Sequence, residues 1–111
     1  MQPKSDAHLL REYVECGAEA AFSELVHRHT NLVYSSALRQ VEIPQAAAEI
    51  TQNVFISLAR GASALSRHLA VDASLGGWLC RVARNLSLNF RRDEFRRHNL
   101  EKEAMSELIS N

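Results

Sequence analysis

The chain has 111 residues and a formal net charge of zero, so its length predicts one domain and its charge excludes a uniformly basic protein. No run of about 18 apolar residues occurs and the N-terminus lacks the apolar core of a signal peptide, so we expect a cytoplasmic protein without a membrane association. Glycine and proline are scarce, and apolar residues recur at helical spacing. We therefore expect an all-α domain, a compact bundle of four helices with a long C-terminal helix.

Capping signals delimit the first two predicted helices. Ser5 is a candidate N-cap, Asp6 adds a favourable negative charge in the first turn, and Gly17 is the expected residue after the C-terminus. The second helix is expected over about 18–40, and Pro44 follows its end because proline cannot continue a helix. Six apolar residues of this helix fit one face: Phe22, Leu25, Val26, Leu32, Val33 and Ala37.

The third helix is expected over about 45–60, with Gly61 at its end, and it carries two different faces. One face is an apolar row at four-residue spacing, Ala46, Ile50, Val54 and Leu58, with Ala47 and Phe55 beside it. The opposite face carries Glu49, Gln52, Asn53 and Ile56. An amide-rich patch with one exposed aliphatic side chain is typical of a protein-docking face, and equally of an ordinary solvated face. A linker over 64–77 should follow, with a short helical turn at 63–69.

The fourth helix is expected from about Gly77 to Ile109 and carries two stripes. Its apolar stripe contains Leu79, Val82, Ala83, Leu86 and Phe90. Its second stripe contains Trp78, Arg81, Asn85, Asn89 and Arg92, with no acid. Cations suit phosphates, amides suit base edges and a flat ring suits stacking, so this stripe favours nucleic-acid binding. The alternative is an ordinary amphipathic helix with solvated arginines and Trp78 in the core.

The charge is unevenly distributed along the chain. Residues 60–98 carry eight arginines against three acidic residues, whereas residues 1–59 and 99–111 are net acidic. The planar guanidinium fork suits phosphates and base edges. The block therefore indicates an anionic polymer bound on one face, with a generic basic surface patch as the alternative.

Catalytic and metal-binding patterns have little support. His27 and His29 lie two residues apart, so they point to different faces of a helix, and no third ligand has useful spacing. Cys16 and Cys80 are far apart and have no nucleophile signature around them, so we expect free, buried or half-buried thiols. No glycine-rich phosphate loop is present. We therefore expect a protein that is not an enzyme and uses no metal or cofactor.

Three segments, in order, resemble bacterial RNA polymerase sigma factors. Residues 47–56 resemble the helix that binds the core polymerase, whose family form is roughly A-E-D-hydrophobic-x-Q-E-x-F. Residues 78–92 resemble the helix that melts and reads the minus-ten promoter element, roughly W-L-x-x-I-A-x-N-x-x-x-D/N-x-x-R. Residues 6–26 are similar to the opening of the extracytoplasmic-function (ECF) class. The resemblance covers about 6–97 and is to the sigma-70 region 2 domain.

The resemblance implies two partners. Core RNA polymerase, through its β′ clamp helices, would contact Glu49, Gln52, Asn53 and Ile56. The non-template strand of promoter DNA would contact Arg67, Trp78, Arg81, Arg84, Asn85, Asn89, Arg91, Arg92, Arg96 and Arg97. In this interpretation the arginines neutralise phosphates, the two asparagines read base edges, and the 61–77 linker with the start of the fourth helix holds a base rotated out of the stack. Trp78 would stack on a base or anchor the helix to the core, and we favour the core. An anti-sigma factor is a further candidate partner.

The chain departs from the family pattern at several points. Asn53 stands where a glutamate is frequent and Asn89 where many members carry aspartate, so each surface loses an acid. The family normally adds a helix-turn-helix domain that reads the minus-thirty-five element, and this chain stops at Asn111 without it. We expect one region 2-like domain over 1–111. Two other classes stay open: a DNA-binding helical module that never meets polymerase, and a sigma-like regulator that binds only proteins.

Overall fold

The computed structural model describes residues 3–110, so the ends of the expected domain, residues 1–2 and 111, lie outside it. It contains four helices: α1 (Asp6–Cys16), α2 (Glu19–Val41), α3 (Pro44–His68) and α4 (Gly76–Ser110). The predicted all-α bundle of four helices with a long last helix is confirmed. None of the helices within 3–110 has an apolar stretch that meets the length and hydropathy of a membrane span.

The two predicted caps of α1 are present. The Ser5 Oγ accepts a hydrogen bond from the His8 backbone N–H at 3.1 Å, and Gly17 adopts the left-handed conformation with φ 63°. At the end of α2 the left-handed residue is Glu42, with φ 59°, and Pro44 occupies the first turn of α3. Proline fits there because the first-turn N–H has no partner within the helix.

The second helix packs against α1, α3 and α4, and α3 likewise packs against the other three helices; the contact between α2 and α4 is the most extensive in the bundle. The buried residues of α2 recur at four-residue spacing: Leu25, His29, Val33, Ala37 and Val41. Three of these were predicted for the core. The expectation for Leu32 is wrong, since 47 % of that residue is exposed; it lies one position, about 100° around the helix axis, from Val33. Phe22 and Val26 are half-buried against the core.

The predicted end of α3 at Gly61 is wrong, because the helix continues to His68. Ala62 is buried and extends the row formed by Ala46, Ile50, Val54 and Leu58, and Leu65 packs against the same core. A glycine inside a helix costs about 1 kcal/mol relative to alanine, and burial of the side chains that follow outweighs this cost. The connection to α4 is therefore residues 69–75, not the longer linker expected over 64–77.

The last helix has two unlike halves, here called the packed half (residues 76–90) and the projecting half (residues 91–110). In the packed half Leu79 and Ala83 are fully buried, and Val82, Leu86 and Phe90 pack against the core as predicted. In the projecting half every residue except the half-buried Glu94 is exposed. The molecule accordingly measures 71 × 23 × 21 Å, since this half extends away from the bundle.

Candidate functional site

A first exposed surface lies on α3 and consists of Glu49, Gln52, Asn53 and Ile56, called here the α3 surface. All four residues are exposed, while Ile50, Val54 and Leu58 on the other side of the helix are at most 5 % exposed. The i, i+4 row of apolar residues explains this orientation, because burying it turns the remaining face to solvent. The exposure agrees with the expectation from the sequence; the role in binding stays a prediction.

The α3 surface borders an apolar groove between α2 and α3. Gln52 and Ile56 line this groove together with Phe22, Val26 and Phe55, among others, and its volume is about 640 Å³. An open apolar groove beside exposed amides offers both a seat for apolar side chains and polar groups that fix orientation. The sequence indicated the amides but not the groove, since two side chains of its α2 wall, Phe22 and Val26, were expected on the apolar face of that helix.

A second exposed surface lies on α4 and is called the α4 surface: Arg81, Arg84, Asn85, Asn89, Arg91, Arg92, Arg96 and Arg97, all exposed. Arg81, Asn85 and Arg92 share one face because their spacings are four and seven residues. Arg97 comes five residues after Arg92, about 140° around the axis, and therefore leaves that face. Arg67, at the end of α3, is exposed as well.

The arginines of the α4 surface have few protein partners. Among the residues that the structure describes, Arg97 is the one member with an ion pair, to Glu94 on the same helix. By contrast, Arg28 on α2 contacts both Asp6 and Glu24 at 3.2 Å. Exposed guanidinium groups without an ion pair are available to an external anion, as phosphate binding requires.

Trp78 stands between the core and a small pocket. The residue is half-buried and packs against the hydrophobic core, which agrees with the anchoring role favoured from the sequence. It also lines a pocket of about 320 Å³ with Gly61, Ala64, Leu65 and His68 from the last turns of α3. The pocket lies where the 61–77 linker was expected to hold a base, but helix α3 forms most of its wall, because that linker is largely helical.

A buried carboxylate joins three parts of the fold. Asp6 is 7 % exposed. Its Oδ2 accepts hydrogen bonds from the Leu75 backbone N–H and from His29 Nε2, both at 2.8 Å, and its Oδ1 lies 3.2 Å from Arg28 Nη1. Burial alone raises the pKa of the Asp6 carboxyl, but the Leu75 hydrogen bond, the charge and hydrogen bond of His29, and Arg28 together lower the pKa below 3.8. The group is therefore ionised at neutral pH.

Sequence reasoning gave Asp6 only the role of a first-turn helix charge. The available signal was His29, which occupies the four-residue apolar row of α2 between Leu25 and Val33. A polar ring in a buried row requires a buried partner, but periodicity cannot say which residue supplies it.

The cysteines, His68 and His98 are members of neither surface, although His68 lines the pocket beside Trp78. Cys80 is half-buried and free, as predicted, whereas Cys16 is free but exposed, because it ends α1 beyond the residues that face the core. His68 and His98 are exposed. Within residues 3–110 no three His, Cys, Asp or Glu side chains lie together in a way that could hold a metal ion.

In a comparison with protein families, the family described as Sigma-70 region 2 matches residues 25–97. The matched stretch contains most of α2, all of α3 and the packed half of α4. Searches of the curated proteins and of the solved structures find no match. Both surfaces therefore lie within the matched stretch, while α1 and Asp6 lie outside it.

Proposed function

The chain belongs to the Sigma-70 region 2 family, and from this membership we propose an ECF-class domain that docks on the β′ clamp helices of core RNA polymerase and reads and opens the minus-ten element. A region 2 domain has a sigma-factor-like role in polymerase binding and promoter recognition, and members of the family are transcription factors rather than enzymes. One observation carries the proposal: the matched stretch presents two exposed surfaces of different chemistry on different helices.

The α3 surface supports the polymerase half of the proposal. Its exposed side chains are two amides, one carboxylate and Ile56, of which 41 % is exposed. Amides donate and accept without a charge that must be desolvated, and the neighbouring apolar groove adds area from which water can be excluded. Because Gln52 and Asn53 are exposed on α3, apart from the arginines of α4, they favour this proposal over a DNA-binding module with no polymerase partner.

The α4 surface supports the DNA half. Its unpaired arginines neutralise phosphates of the non-template strand, which contributes affinity but no sequence information. Unstacking a base costs a few kcal/mol per step, and capture of the extruded base must offset this cost. The pocket beside Trp78 is our candidate for that capture, and Asn85 and Asn89 are our candidates for reading base edges.

Co-purification with core RNA polymerase tests the docking surface. Gln52→Ala combined with Asn53→Ala should abolish co-purification and leave the melting temperature nearly unchanged, since surface substitutions usually change stability by less than about 0.5 kcal/mol. The matched control is Gln45→Ala, an exposed amide at the start of the same helix. Normal polymerase binding by the double variant, or unfolding of it, would refute the docking assignment.

A salt titration tests the DNA surface. The affinity for a single-stranded minus-ten oligonucleotide of the non-template strand should fall steeply with salt, with a log–log slope of about 0.7 for each neutralised phosphate. Arg92→Ala should make the slope shallower by about one phosphate. A flat titration of the unmodified chain would favour the remaining alternative, a sigma-like regulator that binds only proteins.

A further inference from the structure

One carboxylate lies at the N-termini of two helices that do not pack against each other. Asp6 is the first residue of α1, and its Oδ2 accepts the N–H of Leu75, the residue immediately before α4. Within the described residues α1 and α4 make no direct helix–helix contact. Because helix N-termini carry partial positive charge, a carboxylate is favourable at both of these positions.

The second helix holds this carboxylate in place. Arg28 and His29, consecutive residues near the middle of α2, contact one carboxylate oxygen each. A carboxylate held from two sides by charge-assisted hydrogen bonds has little freedom to move. Leu75 is therefore held in a fixed position relative to α2, which packs against the other three helices.

The chain around Leu75 transmits this position to α4. The Ser74 Oγ accepts the Gly76 N–H at 3.1 Å and lies 3.4 Å from Asp6 Oδ2, and the Leu75 carbonyl accepts the Leu79 N–H at 2.9 Å. A Cβ on Gly76 would lie 3.3 Å from the Ser74 hydroxyl, so this turn has little spare room. Trp78 follows within the same first turn of α4.

We propose that Asp6 is a positioning residue for DNA recognition: its carboxylate fixes the turn that enters α4 and thereby the placement of Trp78 and of the pocket beside it. This inference rests on the proposed function. Asp6 touches no DNA in this role; it sets the register of the groups that do. Without it the Leu75 N–H, which is buried, has no acceptor, and the 69–75 connection loses the bond that ties it to α2.

The chain contains a single tryptophan, so intrinsic fluorescence reports on the first turn of α4 in the absence of DNA. Asp6→Ala should shift the Trp78 emission to longer wavelength and increase its quenching by acrylamide, with helical circular dichroism retained. Asp6→Asn keeps an oxygen that can accept the Leu75 N–H but loses the charge, so its shift should be smaller. The matched control is Glu12→Gln, an acid on the same helix that pairs with Lys4 and His8.

DNA binding by the same variants measures the functional half. For Asp6→Ala the ratio of affinities for consensus and scrambled minus-ten oligonucleotides should fall by at least about fivefold, while affinity for the scrambled strand stays within about twofold. Asp6→Asn should recover part of the ratio, and Glu12→Gln should retain all of it. A residue with a merely structural role would lower both affinities together.

The outcomes separate the two proposals. If Asp6→Ala does not fold, Asp6→Asn carries the test. Unchanged Trp78 emission and an unchanged affinity ratio in the folded variants overturn the inference, as do equal changes in Glu12→Gln. If the unmodified chain shows no preference for the consensus strand, the proposed function fails; an altered Trp78 emission in the Asp6 variants then makes Asp6 an anchor of α4 with no role in DNA recognition.

Discussion

The two halves of α4 have similar helical spacing and opposite surroundings. Leu79 in the packed half is fully buried, whereas Leu100 and Leu108 in the projecting half are 65 % and 76 % exposed. The difference lies in what opposes the helix, because α2 and α3 cover the packed half and nothing in the described chain covers the other. Periodic apolar residues therefore predict a helix, but burial requires a second element that periodicity does not identify.

The two halves of α4 also differ in the role that we propose for each in DNA binding. The asparagines of the α4 surface lie on the packed half, where buried neighbours hold the helix against the bundle. Four of its arginines, Arg91, Arg92, Arg96 and Arg97, lie on the projecting half. Reading a base edge requires fixed geometry, whereas attraction to phosphate tolerates movement. We therefore expect specificity from the packed half and affinity from the projecting half.

The largest predicted effect is a difference in stability between the same substitution made in the packed half and in the projecting half. Leu79→Ala should lower the free energy of unfolding by about 2–5 kcal/mol, because it removes a fully buried side chain and leaves a cavity. Leu108→Ala, the same change on the same helix, should alter it by less than about 0.5 kcal/mol. Urea denaturation followed by circular dichroism measures both. A large loss for Leu108→Ala would mean that a partner covers the projecting half.

The next largest predicted effect is a difference in DNA sequence discrimination between substitutions in the two halves. Asn85→Ala should reduce discrimination between consensus and scrambled minus-ten strands by about 1–3 kcal/mol, because it removes a pair of base-edge contacts. Arg92→Ala should weaken binding to both strands about equally, because phosphates carry no sequence information. Fluorescence anisotropy at one fixed salt concentration measures both variants. Equal losses on the two strands for Asn85→Ala would remove that residue from the reading role.

The sequence predicted the positions of the helices better than it predicted the tertiary contacts between them. Ser5, Gly17 and Pro44 placed three helix ends because capping and proline effects are local. The predicted end of α3 at Gly61 was wrong because the weak preference of glycine against a helix is outweighed by the burial of later residues. The Asp6 contact with Leu75 joins residues far apart in the chain, and no local pattern encodes such a pairing.

Acid should lower the stability of the protein in part by protonating Asp6, which holds the start of the packed half. The fold lowers the pKa of the Asp6 carboxyl below its ordinary value of 3.8. The ionised carboxylate therefore stabilises the protein at pH values above that ordinary pKa, and this contribution is lost as the pH falls through the lower pKa of the folded state. Asp6→Asn should therefore show a shallower loss of stability between about pH 5 and pH 2 than the unmodified chain. Urea midpoints measured across this range test the sign, with Glu15→Gln, at an exposed acid of the same helix, as the control. Parallel curves for Asp6→Asn and the unmodified chain would contradict it.

The smallest effect concerns the extension of α3 that supports Trp78. Gly61 has no positive φ, and a Cβ there would meet nothing within 4 Å. Gly61→Ala should therefore stabilise the protein by about 0.4–1 kcal/mol, since alanine restricts the unfolded chain and favours the helix. Gly17→Ala is the matched control; it should destabilise, because Gly17 has a φ of 63°. If Gly61→Ala destabilised as Gly17→Ala does, α3 would end at Gly61 as the local sequence predicts, and the wall of the pocket beside Trp78 would not be helical.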